Sequence, residues 1–216
     1  MYYLRGEAEG SVIDNTHWSY YQTKDLAVIP YMNGTAVYRD GMLPMLYFKL
    51  KEEGKIADCF CGENKNLDSF IAYFDRLKTV QILAELEGEK IVPVGFSWVD
   101  MPRGQDGARA CQCGEAFFSG ASKRSSARSL ARMAVAYAFN ALRIDVLHGL
   151  QVVTNTAARN FALRLGFKEC AIVPSWHYID GELVDARVMI LRKEDYIPGF
   201  DRWFAEQKTA DETKIP

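Results

Sequence analysis

The sequence predicts a single mixed α/β domain, and three features carry that expectation. Two strand-like runs, 79–86 and 92–99, flank the turn-forming Glu87-Gly88-Glu89-Lys90. An apolar stripe at helical spacing, free of Gly and Pro, fills 124–143. Strand, helix and a closing hairpin follow it. The strands on either side of the long helix are therefore expected to be parallel neighbours joined by a right-handed crossover. The 216 residues can bury a core without metal or disulfide support, and no change of composition marks a linker.

Residues 1–65 are dense in aromatics (Tyr2, Tyr3, Trp18, Tyr20, Tyr21, Tyr31, Tyr38, Tyr47, Phe48) but weakly periodic, and they are expected to form a helical, aromatic N-terminal part. In 67–77, Leu67, Phe70, Ile71, Phe74 and Leu77 repeat at helical spacing. Helices are thus expected first, then three consecutive strands, the third over 109–118. In the long helix Ala127, Leu130, Ala131, Ala134, Val135, Ala138, Phe139 and Leu142 form the buried stripe. A strand is expected at 145–153. Asn155 stands at an N-cap position before Ala158, Phe161, Ala162 and Leu165, and Gly166 falls just past the last turn. Strands at 168–173 and 183–191 flank Asp180-Gly181, a favoured hairpin-turn pair. The tail, 200–216, turns polar and is expected to fray.

Composition narrows the function. Lys plus Arg number 26 and Asp plus Glu 28, a net charge of −2, so no global basic field draws nucleic acid. No apolar run reaches the ~18 residues of a membrane span, and the first residues do not read as a signal peptide. The five cysteines are odd in number, which suits reduced thiols and a cytoplasmic location. Cys59-Phe60-Cys61 and Cys111-Gln112-Cys113 lack the usual zinc spacing and have no nearby histidine, so no metal is expected.

The chemistry is expected at the start of the long helix. Ser119-Gly120-Ala121-Ser122-Lys123 is small, polar and basic, and opens straight into Arg124-Ser125-Ser126. A helix start offers unpaired N–H groups and the positive end of the helix dipole, the ingredients of a phosphate cradle. Arg124, Arg128 and Arg132 add charge along one side. The plain alternative is a capped surface helix with a solvated basic face.

Three segments resemble the GNAT superfamily of acyl-CoA-dependent N-acyltransferases. Arg124-Ser125-Ser126-Ala127-Arg128-Ser129 stands where that family has Arg/Gln-x-x-Gly-x-Gly/Ala. Residues 155–167, Asn155-Thr156-Ala157-Ala158 through Leu165-Gly166-Phe167, match its Asn-x-x-Ala continuing to Leu-Gly-Phe. Asp180-Gly181, Asp185 and Leu191-Arg192 through Tyr196 are similar to the last hairpin of ribosomal-protein-type members. The resemblance covers the last 80–100 residues well and the N-terminal half only in layout. It implies a mixed, mostly antiparallel sheet with a splayed parallel strand pair and flanking helices, acting as an N-acetyltransferase. Acetyl-CoA would be the acyl donor, with its pyrophosphate on the amides of Arg124, Ser125, Ser126, Ala127, Arg128 and Ser129. Its pantetheine arm would lie beside Ala116, Phe117 and Phe118 on one strand and 150–154 on the other, in contact with Asn155.

The sequence also departs from that pattern. Ala127 and Ser129 replace the two loop glycines, and Ala162 stands where many members place a tyrosine that protonates the leaving thiolate. Some relatives of ribosomal-protein type lack that tyrosine as well. Glu115 is the candidate general base, since its strand position matches the catalytic glutamate of some members. By alternation Glu115 shares a face with Cys111, Cys113 and Phe117, where desolvation would raise its pKa. Backbone near 116–118 could polarise the thioester carbonyl. Trp176, His177 and Tyr178 precede the hairpin that in the family borders the acceptor site or a dimer contact. They are candidates for the acceptor subsite, against a plain surface loop. His17-Trp18 and Tyr20-Tyr21 fit N-terminal packing better than an acceptor pocket. The acceptor would be a small-molecule or protein amine. A module that binds CoA or a partner without turnover, and a nucleic-acid-base modifier resting on the arginine line alone, are the competing readings.

Overall fold

The computed structural model describes residues 21–31, 37–56, 60, 66–75, 78–88, 90–100, 109–118, 124–179 and 181–212. The described chain starts with two strands, β1 (Tyr21–Gln22) and β2 (Leu26–Tyr31). A π-helical stretch, Val37–Met42, leads into α1 (Leu43–Glu52), and α2 follows (Leu67–Asp75). Next come β3 (Lys78–Glu87), β4 (Lys90–Asp100), β5 (Ala110–Phe117), α3 (Arg124–Asn140), β6 (Val146–Val152) and α4 (Thr156–Leu165). A hairpin of β7 (Lys168–Ile179) and β8 (Glu182–Arg192) precedes the final helix, α5 (Lys193–Glu212).

The eight strands form one sheet in the order β1-β2-β3-β4-β5-β6-β8-β7. All neighbours are antiparallel except β5 and β6. The mixed, mostly antiparallel α/β class is therefore as the sequence implies.

Three expectations need correction. Helices do not come first among the described residues: β1 and β2 precede α1, while β3, β4 and β5 are the three consecutive strands expected after the helices. Pro30 obscures β2, yet it costs little there. Among the described residues β1 pairs only with Ala27 and Val28, which leaves Pro30 where its missing N–H faces no described strand. The tail does not leave the core after Phe200, because α5 continues and Phe200, Trp203 and Phe204 pack against it. Tyr21 meets the rings of Phe200 and Phe204 edge-on at 5.0 and 5.2 Å, tying β1 to α5. Finally, 174–179 is no loop. β7 runs through it with an irregularity between Val173 and His177, where Ser175 takes φ 52. The His17-Trp18 segment, Tyr20, Cys59, Cys61 and Asp180 lie outside the described residues.

The sheet divides two cores. On one face α3 packs Leu130, Ala131 and Met133 to Phe139 against Leu83, Val94, Val99, Cys111 and Leu147, with α5 on its other side. A helix so enclosed is apolar nearly all round. Lys193 Nζ donates to Phe139 O at 3.0 Å near its C-terminal end, a favourable place for a cation. On the opposite face α1 and α2 bring Leu43, Leu46, Leu50, Phe70 and Phe74 onto Val80, Ile82, Phe96, Trp98 and Ala116.

Gly114 lets the second core close. It lies opposite Trp98 in register, and a Cβ there would stand 2.1 Å from the indole Cζ2. Trp98 is 6% exposed and ringed by Phe60, Phe74 and Phe96, so it cannot yield freely. Gly114→Ala should destabilise the protein by about 1–3 kcal/mol, read as a lower urea midpoint at unchanged slope. An unchanged midpoint would contradict this packing.

Candidate functional site

The parallel pair is pinned at one end and open at the other. Asp145 Oδ2 accepts from the Arg109 N–H at 2.9 Å. Arg109 O in turn accepts from Asp145 N and Val146 N at 2.9 and 3.1 Å. Pairing continues through Ala110, Cys111 and Gln112 against Val146, Leu147 and His148, and then ends. β5 goes on beside β4 and β6 beside β8, each held by its antiparallel partner. The two strands separate, and a cavity of about 870 Å³ occupies the opening.

Small residues shape that cavity. Gly114 and Ala116 on β5, Gly149 on β6 and Ala157, Ala158 and Ala162 on α4 all line it. Asn155 caps α4 through its Oδ1, which accepts from Ala158 N at 2.9 Å, and Gly166 ends the helix at φ 101. Phe161 of α4 meets Phe117 at 5.7 Å and closes one side. Because the cavity passes between two strands, it reaches both faces of the sheet. Phe60 and Trp98 line it from the α1 side, and Cys113, Glu115 and Phe117 from the α3 side.

Glu115 sits at the inner end of a polar row. Gln81, Ser97 and Glu115 face one another in register across β3, β4 and β5, and Ser97 Oγ donates to Gln81 Oε1 at 3.1 Å. The Glu115 carboxyl touches the cavity but is otherwise enclosed by protein, and burial raises its pKa to about 7. Burial raises Cys111 to about 11, with a smaller contribution from Asp100. Cys113 is pushed up further, by burial first and then by Glu115, so both thiols stay protonated at neutral pH. No group of three or more metal-ligating side chains occurs among the described residues.

The candidate residues converge only in part. Glu115, Ala116, Phe117, Asn155, Trp176 and His177 line this one cavity. Phe118 lies beneath it in the α1-side core, and Tyr178 is 67% exposed and off the wall. Arg124, Ser125, Ser126, Ala127, Arg128 and Ser129 form the first turns of α3, whose first turn carries no acidic residue. Residues 119–123 lie outside the described set. Arg132 does not continue a basic line toward that end. Its guanidinium stacks over the Trp203 ring at 5.3 Å, and its carbonyl accepts from Tyr196 Oη. Sequence reading missed Lys55, Phe60, Tyr73 and Trp98, all on the wall, whereas Gln151 there falls in the 150–154 run expected beside the arm. For Lys55 the one available signal was Gly54.

No family model matches the sequence, and no curated protein does. Solved structures do. A spermidine N-acetyltransferase from Vibrio cholerae, in complex with CoA and spermine, superposes with a TM-score of 0.60 at 14% identity, over 79% of this chain and 98% of that one. A probable GNAT-family acetyltransferase from Chromobacterium violaceum gives 0.62 at 13% identity, over 83% and 88%. A further probable acetyltransferase gives 0.57 at 16% identity, over 80% and 96%. The chain has the GNAT fold. Among its described residues no helix is long and apolar enough to cross a membrane.

The raised pKa of Glu115 has a stability consequence. Between the ordinary carboxyl value of 4.5 and about 7 the folded state holds a proton that the unfolded chain has released. The stabilisation is complete below 4.5 and is lost as pH rises through about 7. Unfolding free energy should therefore fall by at most about 3 kcal/mol across this window. Glu115→Gln should remove that part of the pH dependence in chemical denaturation at pH 5 and pH 8. Identical slopes in both proteins would show that the carboxyl is not desolvated.

Proposed function

We propose that this protein is an N-acetyltransferase that moves an acetyl group from acetyl-CoA to a primary amine. The cavity between the separating parallel strands carries the reading, because its wall holds a half-buried carboxyl whose pKa lies near neutrality, and the helix that follows β5 starts with small residues suited to phosphates. The wall also fits a long, narrow polyamide arm. Its glycines and alanines leave room for one, and the strands beyond Gln112 and His148 no longer satisfy each other's backbone groups. The neighbour that holds CoA and spermine has this fold and supports the same donor and a small amine acceptor.

The residues divide the work by position. The first N–H groups of α3, from Arg124 to Ser129, would hold the pyrophosphate, since Ala127 and Ser129 are small enough for close approach. Asn155 fixes the α4 start beside the arm. Bound acetyl-CoA supplies an activated thioester. Glu115 would take the proton of the incoming ammonium or amine, directly or through one water, because a base with a pKa near 7 is half-ionised at working pH. Trp176 and His177, on the same wall, would border the acceptor. The closing hairpin supports a likeness to ribosomal-protein-type members, with a protein amine then also in range. A cytoplasmic monomer or homodimer suits the reading equally. The second reading, a CoA-binding module without turnover, draws on Ala162, which places no hydroxyl on the wall.

Calorimetric titration with acetyl-CoA should give saturable binding that is lost in Arg124→Glu and Ala127→Glu, since each sets an anion at the helix start. Absence of binding by the unaltered protein would refute the donor assignment. Thiol release with an amine panel should rise from pH 6 to 8 with an inflection near 7 and fall by roughly a hundredfold in Glu115→Gln. Binding without thiol release from any acceptor would favour the second reading.

A further inference from the structure

We propose that Lys55 is the cation that faces the departing thiolate, and is thus a further catalytic residue of the acyl-transfer site. The inference rests on the acyltransferase reading and adds a leaving-group role to it. Breaking a thioester places a negative charge on sulfur, and a fixed cation placed in the cavity stabilises that charge as it develops. Among the described residues on the wall, Lys55 is the one lysine or arginine.

Its position is fixed by backbone geometry. Gly54, at φ 68, ends α1 in a left-handed turn. Lys55 N donates to Leu50 O at 2.9 Å, and Gly54 N to Lys51 O at 3.1 Å. These are the two bonds of a Schellman cap, and they turn the chain back toward the sheet. The side chain then crosses to β5, where Nζ donates to Phe117 O at 2.8 Å. That carbonyl belongs to the opening between the strands. Phe118 N donates to Val94 O on β4, and in a trans peptide the preceding C=O points the opposite way, toward β6. Glu53 Oε2 holds the same ammonium at 2.9 Å. An ammonium has three donors. Phe117 O and Glu53 use two, and the third is left for the cavity.

The step balances. As the amine's C–N bond forms, the C–S bond breaks and its electron pair stays on sulfur. The amine's proton passes to Glu115, and Lys55 Nζ, still charged, pairs with the thiolate until solvent reprotonates it. Ala162 offers nothing to do this, and Lys55 arrives from the opposite, α1 side of the sheet.

The test needs no acceptor. Coenzyme A is titrated with pH on the unaltered protein and on Lys55→Met, and thiolate formation is followed by ultraviolet absorbance. The same titration with desulfo-coenzyme A gives the signals of the chain's own five cysteines, which are subtracted. The bound thiol should ionise about 1–3 pH units lower on the unaltered protein than on Lys55→Met. Lys55→Arg should retain most of the effect, and it guards against a folding defect in the first variant. With an acceptor found, Lys55→Met should lower kcat roughly a hundredfold with little change in donor KM. Equal thiol titrations on all three proteins would overturn the role of Lys55 alone. No coenzyme A binding by the unaltered protein would overturn the acyltransferase reading, and this proposal with it.

Discussion

The structure depends on one unfinished strand pair. Among the described strands β5 and β6 are the one parallel pair, and their ladder stops after Gln112 and His148. Asp145 and Arg109 clamp them at the start, while antiparallel partners pull them apart at the far end. A sheet normally satisfies its own amides, and buried ones left open are costly. A pair that diverges inside a domain therefore creates a slot lined with unpaired backbone groups. The alanines and glycines around it, the ring of Phe161 and the cap at Asn155 keep the slot open rather than filled.

The slot also brings together groups that the sheet would otherwise keep apart. Glu115 comes from the α3 side, within a polar row that includes Ser97 and Gln81. Lys55 and Trp98 come from the α1 side. Each core is built by ordinary apolar packing, and the two meet only where the strands part. An acidic and a basic group can thus work within one cavity without forming an ion pair that would neutralise both.

Legibility in the sequence followed the range of the interactions. α3, α4 and the strands from β3 to β6 were readable because their periodicity and caps are local: the Ala127-to-Phe139 stripe, Asn155 and Gly166. β2 was hidden by Pro30, which only its edge position makes harmless. α5 was hidden by Pro198 and a polar stretch, and it is held by rings distant in sequence: Tyr21 against Phe200 and Phe204, and Phe139 against Tyr196. α1 buries a one-sided stripe of Leu43, Leu46, Tyr47 and Leu50, which Pro44 and the exposed Phe48 blur in the sequence. The candidate site was legible on the α3 and α4 side, where motifs are contiguous. Lys55 was not, because only the third dimension brings it to Phe117.

The clasp between Tyr21 and the rings of α5 has a consequence for how the molecule is made. Asn140 Nδ2 donates to Tyr21 Oη at 2.8 Å, and Phe200 and Phe204 cover the same ring. β1 is thus completed by a helix synthesised after every other described element. Until α5 is made, the β1 edge has its two-residue pairing with β2 and the Asn140 hydrogen bond, but not the rings that cover Tyr21. The contact that covers Tyr21 therefore joins the two ends of the described chain and cannot form before α5 is available.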